Sequence, residues 1–294
     1  MTRLARAAER LIDTLERTEV LDGAADAVAA VVRRVVRPGV VEDTLSGTQV
    51  GHPVHPAVVA VPIGAWLSAN VLDLLGGDEA ATSAVQAIGL IGAVPAAATG
   101  ASDWLSTAGP ERRVGLVHAV SNYSAIALHA SSLVARRRGK PAAATALGLA
   151  GSALAGAGGW LGGHLAYALG VGVDTTVFQQ FPAEWTDAVA DADVRSGELV
   201  RAEVTSVPVL LARVSGRVVA YADRCTHRGA PLDEGALADG CVTCPWHDSV
   251  FDLEDGSVVS GPATRPQPAL EVRVVAGRVQ VRRTEHRTLR TNPV

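Results

Sequence analysis

The sequence predicts a multidomain chain, α then β: a four-transmembrane-helix bundle followed by a small all-β domain. Three observations predict it. Almost all the long apolar runs fall in residues 56–171 of the 294, while residues 172–294 are rich in Val, Thr and Arg. The apolar half breaks into four segments, each near the roughly 20 residues that a helix needs to cross about 30 Å of hydrocarbon. From about Pro182 the pattern changes to short alternating runs, which mark half-buried strands. The expected boundaries are 1–40 for an amphipathic helical N-terminal region, 41–172 for the membrane domain, 173–182 for a linker, 183–283 for the β domain and 284–294 for a polar tail.

Within residues 4–36, Leu4, Leu11 and Leu15 fall on one stripe, and Val28, Val31, Val32, Val35 and Val36 repeat the spacing before Pro38 stops it. This region reads as a helical hairpin packed on the rest of the protein. Because Arg33, Arg34 and Arg37 flank the valine face, a helix lying on the membrane surface is the alternative. The N-terminus shows arginines throughout and no apolar core with a small-residue cleavage site, so no secretory signal is expected. The four spans are approximately Pro56–Gly76, Ala80–Ser102, Val114–Ala135 and Ala142–Val171, joined by short polar connections that suit an antiparallel bundle. Gly158, Gly159, Gly162 and Gly163 form two overlapping G-x-x-x-G pairs, which let a neighbouring helix approach closely in lipid. A soluble Ala-rich bundle is the competing reading, and the scarcity of charge in the first and third segments argues against it. In the β region, Val207–Val214 pairs with Arg217–Tyr221 and Leu270–Val275 with Arg278–Arg282, with Gly216 and Gly277 at the turns.

A formal charge of -4 gives no hint of a nucleic-acid partner. The three cysteines, 225, 241 and 244, are an odd number crowded into 20 residues. That is a poor disulfide framework and a plausible metal site in a reducing compartment. The motif is Cys225-Thr226-His227, sixteen intervening residues, then Cys244-Pro245-Trp246-His247. Two loops that each offer one thiolate and one imidazole can hold two irons asymmetrically, cysteines on one and histidines on the other. Neutral imidazoles add less negative charge than thiolates, so the histidine-ligated iron is the one reduced. A zinc site built from Cys225, Cys241, Cys244 and a histidine competes, since Cys241 and Cys244 form a C-x-x-C, but it leaves one well-placed histidine unused.

Here residues 183–283 resemble the Rieske ferredoxin family. The likeness extends to Arg228-Gly229-Ala230-Pro231-Leu232 after the first pair, Phe251-Asp252 and Asp255-Gly256 after the second, and Gly261-Pro262-Ala263 followed by Pro266. It implies a [2Fe-2S] cluster ligated by Cys225, His227, Cys244 and His247, with Gly261 and Pro262 in a loop covering it. The respiratory version of the family carries a disulfide whose positions here are Ala230 and Trp246, so no such bridge is expected. It also follows the last histidine with Gly-Ser-x-Tyr, where this sequence has Asp248-Ser249-Val250-Phe251. Ser249 retains a hydroxyl donor while the tyrosine hydroxyl is missing. Fewer donors to the cluster sulfurs imply a potential below that of respiratory Rieske proteins.

The motif Gly51-His52-Pro53-Val54-His55-Pro56, with Gly100-Ala101-Ser102-Asp103-Trp104, Arg112 to His118 and Gly162-Gly163-His164, is similar to a predicted-membrane family of unknown function over roughly residues 40–172. An antiparallel bundle brings His55, Asp103, His118 and His164 toward one membrane face, with His129 about three turns beyond His118. Ionisable groups inside a membrane are functional suspects. These residues are candidates to hold haem b or a quinone, and the bland alternative is that they bond across helices. The expected function is a membrane-anchored one-electron carrier in a bacterial inner membrane, with its β domain in the cytoplasm. Its expected partner is a reductase, an oxygenase or a membrane complex. A quinone- or haem-dependent oxidoreductase and a redox sensor are the alternatives.

Overall fold

The computed structural model describes residues 2–284, so all but the first residue of the expected polar tail lies outside the described residues. The described residues divide into two units: those up to Arg37 with Pro53–Val171, and Pro38–His52 with those from Gly172 to Thr284. The boundary expected at residue 40 is thereby corrected. Residues 38–52 fold with the β region that follows 120 positions later, because their hydrogen-bond partners lie there. The expected linker is also folded, since Thr176 is buried and Phe181 packs into a β-sheet core.

The helical unit contains α1 (Arg3–Arg17), α2 (Asp22–Val35), α4 (His55–Val58) continuing into α5 (Ala60–Leu74), α6 (Glu79–Leu105), α7 (Gly109–Arg137) and α8 (Pro141–Tyr167), while α3 (Val40–Ser46) belongs to the other unit. Local chemistry sets these starts. Asp78 caps α6 by accepting from the Ala81 amide at 2.7 Å, and Pro56, Pro110 and Pro141 occupy first-turn positions where no amide donor is needed.

Among the described residues, three helices are long and apolar enough to cross a membrane: His55–Leu74, Glu79–Leu105 and Pro141–Tyr167. The fourth expected span, α7, forms a helix of 29 residues but is not among them. Four arginines, two histidines and Asn122 lower its hydropathy. The packing is inverted relative to a water-soluble bundle. Val61, Leu67, Val71, Ile88, Ile91, Val94 and Trp160 point outward, while Ala69, Asn70, Gln86, Ala93, Thr99, His129 and Ser132 are buried. A bundle surrounded by hydrocarbon gains nothing by hiding large apolar side chains, and its helices associate through small and polar ones.

The first two helices dock on this bundle. Arg113 forms a fork with both Asp22 oxygens at 2.6 and 2.7 Å, Arg112 reaches Asp26 at 3.0 Å, and His164 meets Glu16 at 2.9 Å. The buried faces differ from the expected ones. Ile12, not Leu11, enters the small core with Val114 and Leu161, and α2 buries Ala25 and Ala29 while Val28, Val31 and Val35 stay exposed. Small side chains let α2 lie close to its neighbours, which the valine count could not show.

The β unit has a six-stranded sheet in the order β1-β10-β9-β4-β3-β2 and a four-stranded sheet β5-β6-β7-β8. The first comprises β1 (Thr186–Ala190), β2 (Leu199–Val204), β3 (Val207–Val214), β4 (Arg217–Ala222), β9 (Ala269–Val275) and β10 (Arg278–Arg283); the second comprises β5 (Ala236–Ala238), β6 (Cys241–Thr243), β7 (Val250–Asp252) and β8 (Val258–Ser260). All pairings between these strands are antiparallel. The turns Ser215-Gly216 and Ala276-Gly277 both carry positive φ at each residue, the conformation that matches a two-residue hairpin to strand twist. β4 and β9 pair directly, so the smaller sheet is an excursion between them. Phe251, Leu232, Leu253 and Val242 fill the core on its side.

The two G-x-x-x-G pairs separate in the bundle. A methyl on Gly158 would stand 2.6 Å from the Asn122 amide oxygen, and one on Gly162 would stand 3.1 Å from His118, whereas Gly159 and Gly163 face open space. Gly158→Ala is therefore expected to destabilise the detergent-solubilised protein by about 1–3 kcal/mol through overpacking. Gly159→Ala, which adds only helix propensity, is expected to be neutral or slightly stabilising. Thermal unfolding of the two variants side by side checks the assignment.

Candidate metal centre

The four motif residues lie on two loops at one end of the smaller sheet. Cys225 and His227 follow β4, and Cys244 and His247 follow β6. The loops close with the same backbone bonds. In each, the cysteine amide donates to the carbonyl five residues on (Ala230, 2.9 Å; Ser249, 2.8 Å). The amide four residues on then donates back to the cysteine carbonyl (Gly229, 2.8 Å; Asp248, 3.2 Å). This shared closure turns both thiols into the core, where Cys225 and Cys244 are each 1% exposed. Their side chains hydrogen-bond to one another.

Around the sulfurs, the amides of His227 and Arg228 donate toward Cys225, and those of Trp246 and His247 toward Cys244. The proton shared by the pair raises the Cys225 thiol and lowers Cys244 to about 7. The imidazoles of His227 and His247 meet edge to face with centroids 5.0 Å apart at 85°. Burial, His247 and Arg228 together push His227 down to about 3, so its ring is neutral at physiological pH. The buried His227 Nδ1 has no hydrogen-bond partner. Paired sulfurs, paired imidazoles and an orphaned ring nitrogen fit a group with a thiolate end and an imidazole end. The indole of Trp246 is 56% exposed, at right angles to the His247 ring with centroids 6.4 Å apart.

Three supports were expected from the sequence. Ser249 is fully buried, and its Oγ accepts from the Ala263 amide at 3.0 Å, which leaves its hydroxyl proton to donate elsewhere. Gly261 and Pro262 are buried in the loop between β8 and β9, joined by a cis peptide bond. Two further supports carry no motif signal. Gln267 donates through Nε2 to the carbonyls of Ala222 (2.6 Å) and Arg224 (2.7 Å) and accepts from the Thr226 amide (3.3 Å), so it staples the first ligand loop to β9. Asp223, fully buried, accepts from the Asp233 amide at 2.9 Å and closes the same loop from the other side.

Cys241 lies on β6 next to Val242, whose side chain is buried in the core. Alternation along a strand sends Cys241 to the opposite face from Val242 and Cys244. That placement favours the two-cysteine, two-histidine set over the zinc alternative.

The helical histidines are each held by protein partners. His55 Nδ1 donates to the Ala96 carbonyl at 3.0 Å, and His118 Nδ1 to the Gly158 carbonyl at 2.7 Å. His164 pairs with Glu16. His129 stacks on Trp66 with centroids 4.2 Å apart and lies beside Gln86 and Ser152, deeper in the bundle. Asp103, near the end of α6, gives its carbonyl to the Ser106 hydroxyl at 2.7 Å. The His55, His118 and His164 contacts join neighbouring helices, while the Asp103 contact is a backbone one at the end of its own helix.

A two-sheet β module with two closely similar Cys/His loops defines the class: a Rieske-type iron-sulfur domain joined to a helical membrane-type unit. The chain belongs to the Rieske [2Fe-2S] domain family, which matches residues 184–276, and residues 51–175 match the predicted membrane protein family DUF2231. It is 32% identical over 99 residues to the anthranilate 1,2-dioxygenase ferredoxin subunit of Burkholderia cepacia, covering 34% of this chain and 92% of the relative. It is 40% identical over 87 residues to the 3-phenylpropionate/cinnamic acid dioxygenase ferredoxin subunit of Escherichia coli (strain K12), covering 29% and 81%. Among solved structures, a chain of the complex of reduced oxygenase and oxidized ferredoxin in carbazole 1,9a-dioxygenase is 34% identical over 33% of this chain and 92% of that one, with a TM-score of 0.32.

Two outcomes follow from this geometry. Cys225→Ser is expected to abolish iron binding, while Cys241→Ser keeps two irons per chain, measured by iron analysis after reconstitution. Burial and Asp233 raise Asp223 to about 6, above its unfolded value near 3.9. The folded state therefore binds the extra proton, and this contribution to stability is present below about pH 4 and lost as pH rises through 6. Asp223→Asn is expected to stabilise the protein at pH 7–8 by on the order of 2 kcal/mol and to flatten its melting profile between pH 4 and 7.

Proposed function

We propose that this protein is a membrane-anchored one-electron carrier whose [2Fe-2S] cluster is held by Cys225 and Cys244 on one iron and His227 and His247 on the other. The shared closure of the two ligand loops carries the reading, because it brings like ligand to like. A [2Fe-2S] cluster bound there supplies one-electron transfer without bond chemistry. The protein's own groups do the rest. Four backbone amides stabilise charge on the buried sulfurs, and Ser249 has a hydroxyl proton to add to them. Phe251 stands where the respiratory version has a tyrosine, which supports a lower potential. Gly261 and Pro262 shield the site from water. Trp246, exposed beside His247, offers an aromatic anchor for a partner protein at the imidazole end.

The dioxygenase ferredoxin relatives support an oxygenase as electron acceptor, fed through a reductase. The outward apolar faces of α5, α6 and α8 support lipid as the surroundings of the helical unit. Three unpaired cysteines favour a reducing compartment for the β unit, the cytoplasmic side of a bacterial inner membrane.

One observation favours a second reading, in which the helical unit holds haem or quinone. His55 and His118 each tie Nδ1 to a backbone carbonyl, which fixes the rings as it does in metal-ligating histidines, and a ligand at His118 would displace the Asn122 amide that lies 3.2 Å from its Nε2. A Soret band in the visible spectrum of the purified protein supports haem; Rieske absorption alone removes haem from this reading and leaves quinone turnover to be assayed.

Reduced, reconstituted full-length protein is expected to give a rhombic paramagnetic signal of the mixed cysteine/histidine type. A spectrum without it sinks the carrier reading. Trp246→Ala is expected to keep that signal and slow electron transfer to an aromatic-ring dioxygenase about tenfold, as loss of an aromatic anchor does.

A further inference from the structure

The cluster loop is fastened from outside the Rieske sequence. In the β unit, α3 and the turn after it lie against the Gly261-Pro262-Ala263 segment. Asp43 Oδ1 accepts from the Gly261 amide at 2.7 Å and from the Ser260 hydroxyl at 3.4 Å. Five residues later, Thr48 Oγ1 donates to the Ala263 carbonyl at 2.9 Å. The two bonds bracket Pro262, which has no amide donor of its own. Gly261 has no room for a side chain, because a methyl there would collide with Thr48. The helix also approaches the second ligand loop, since Glu42 lies within electrostatic reach of Asp248, the residue after His247.

From Ala263 the connection runs inward. Its amide donates to Ser249 Oγ, and the Ser249 carbonyl accepts from the Cys244 amide. A continuous line of hydrogen bonds therefore joins α3 to one ligand loop. The family match begins at residue 184, so nothing in the shared module supplies this fastening.

We propose that Asp43 is a positioning residue for the cluster: through the Gly261 amide, with Thr48 as a second fastener, it holds the 261–263 loop closed over the site and governs how well the cluster is retained. The 2.7 Å separation is that of a short bond of the stronger kind, a carboxylate oxygen on a backbone amide. The proposal rests on the carrier reading, but Gly261 amide exchange does not need the cluster and so separates the two. If the wild-type protein lacks a Rieske signal, the carrier reading fails, whatever Asp43 does.

The test uses the full chain in detergent, comparing wild type, Asp43→Ala, Asp43→Asn and Thr48→Val. Asparagine keeps the acceptor oxygen and removes the charge. Asp43→Ala is expected to speed hydrogen exchange at the Gly261 amide about tenfold, the equilibrium factor of one lost charge-assisted hydrogen bond. It should also speed chelator-induced loss of the cluster by a similar factor, with the circular dichroism spectrum unchanged. Asp43→Asn, which keeps a neutral acceptor, should fall between wild type and Asp43→Ala in both readouts, and so should Thr48→Val. Wild-type exchange and cluster loss in Asp43→Ala overturn the proposal, and so does identical behaviour of the Ala and Asn variants. If Asp43→Ala does not fold, Thr48→Val decides alone: unchanged cluster loss in it overturns the proposal.

Discussion

The structure of the β unit depends on keeping two thiols together in a core that excludes water. Charge on a sulfur in such a place is costly unless hydrogen bonds meet it. The two loops solve this with one backbone pattern used twice, which turns the sulfurs inward and leaves amides aimed at them. Because the closure spans only five residues, each loop needs outside support to stay in place. Gln267 and Asp223 supply it for the first loop, and Ser249 with the 261–263 segment for the second. The direct pairing of β4 with β9 makes those supports possible, since it returns Gln267 to the base of the loop that leaves β4.

Asymmetry between the two ends of the site has the same origin. The sulfurs sit deep because the closing bonds fall on the cysteines. The histidines, two and three residues further along, reach beyond the closure, with the Trp246 indole exposed next to His247. An electron carrier benefits from this division, because the buried end fixes the ligands while the outer end lies near a surface that a partner can approach. The neutral His227 ring follows from its burial and from the adjacency of the His247 imidazole.

The helical unit obeys a different constraint. Its interior is lined mostly with alanine, glycine and polar groups that bond between helices, and many of its large apolar side chains face outward, with Trp66, Val114, Leu133 and Leu161 among the buried ones. His55, His118 and His129 belong to that interior bonding, as do Asn70 and Gln86. The Asp73–Arg136 ion pair, at 2.6 Å with both side chains less than a tenth exposed, closes one end of the bundle. Glycines on α6 and α8 make room for rings on the facing helices, as Gly89 does for Trp66 and Gly151 for His129.

Much of this was legible in the sequence, where the physics is local. Alternating runs located β3, β4, β9 and β10, apolar length located the helices, and the spacing of two cysteines and two histidines pointed to the ligand set, because each signal lies within a few residues of chain. Tertiary structure decided what no local pattern encodes. It gave residues 38–52 to the β unit through Asp43 and Thr48, buried the alanines of α2 in place of its valines, and turned only Gly158 and Gly162 toward a neighbouring helix. Each of these depends on which surface a segment meets after the chain has folded back over a hundred residues or more, or on which side of a helix its neighbour lies. Residue spacing carries neither kind of information.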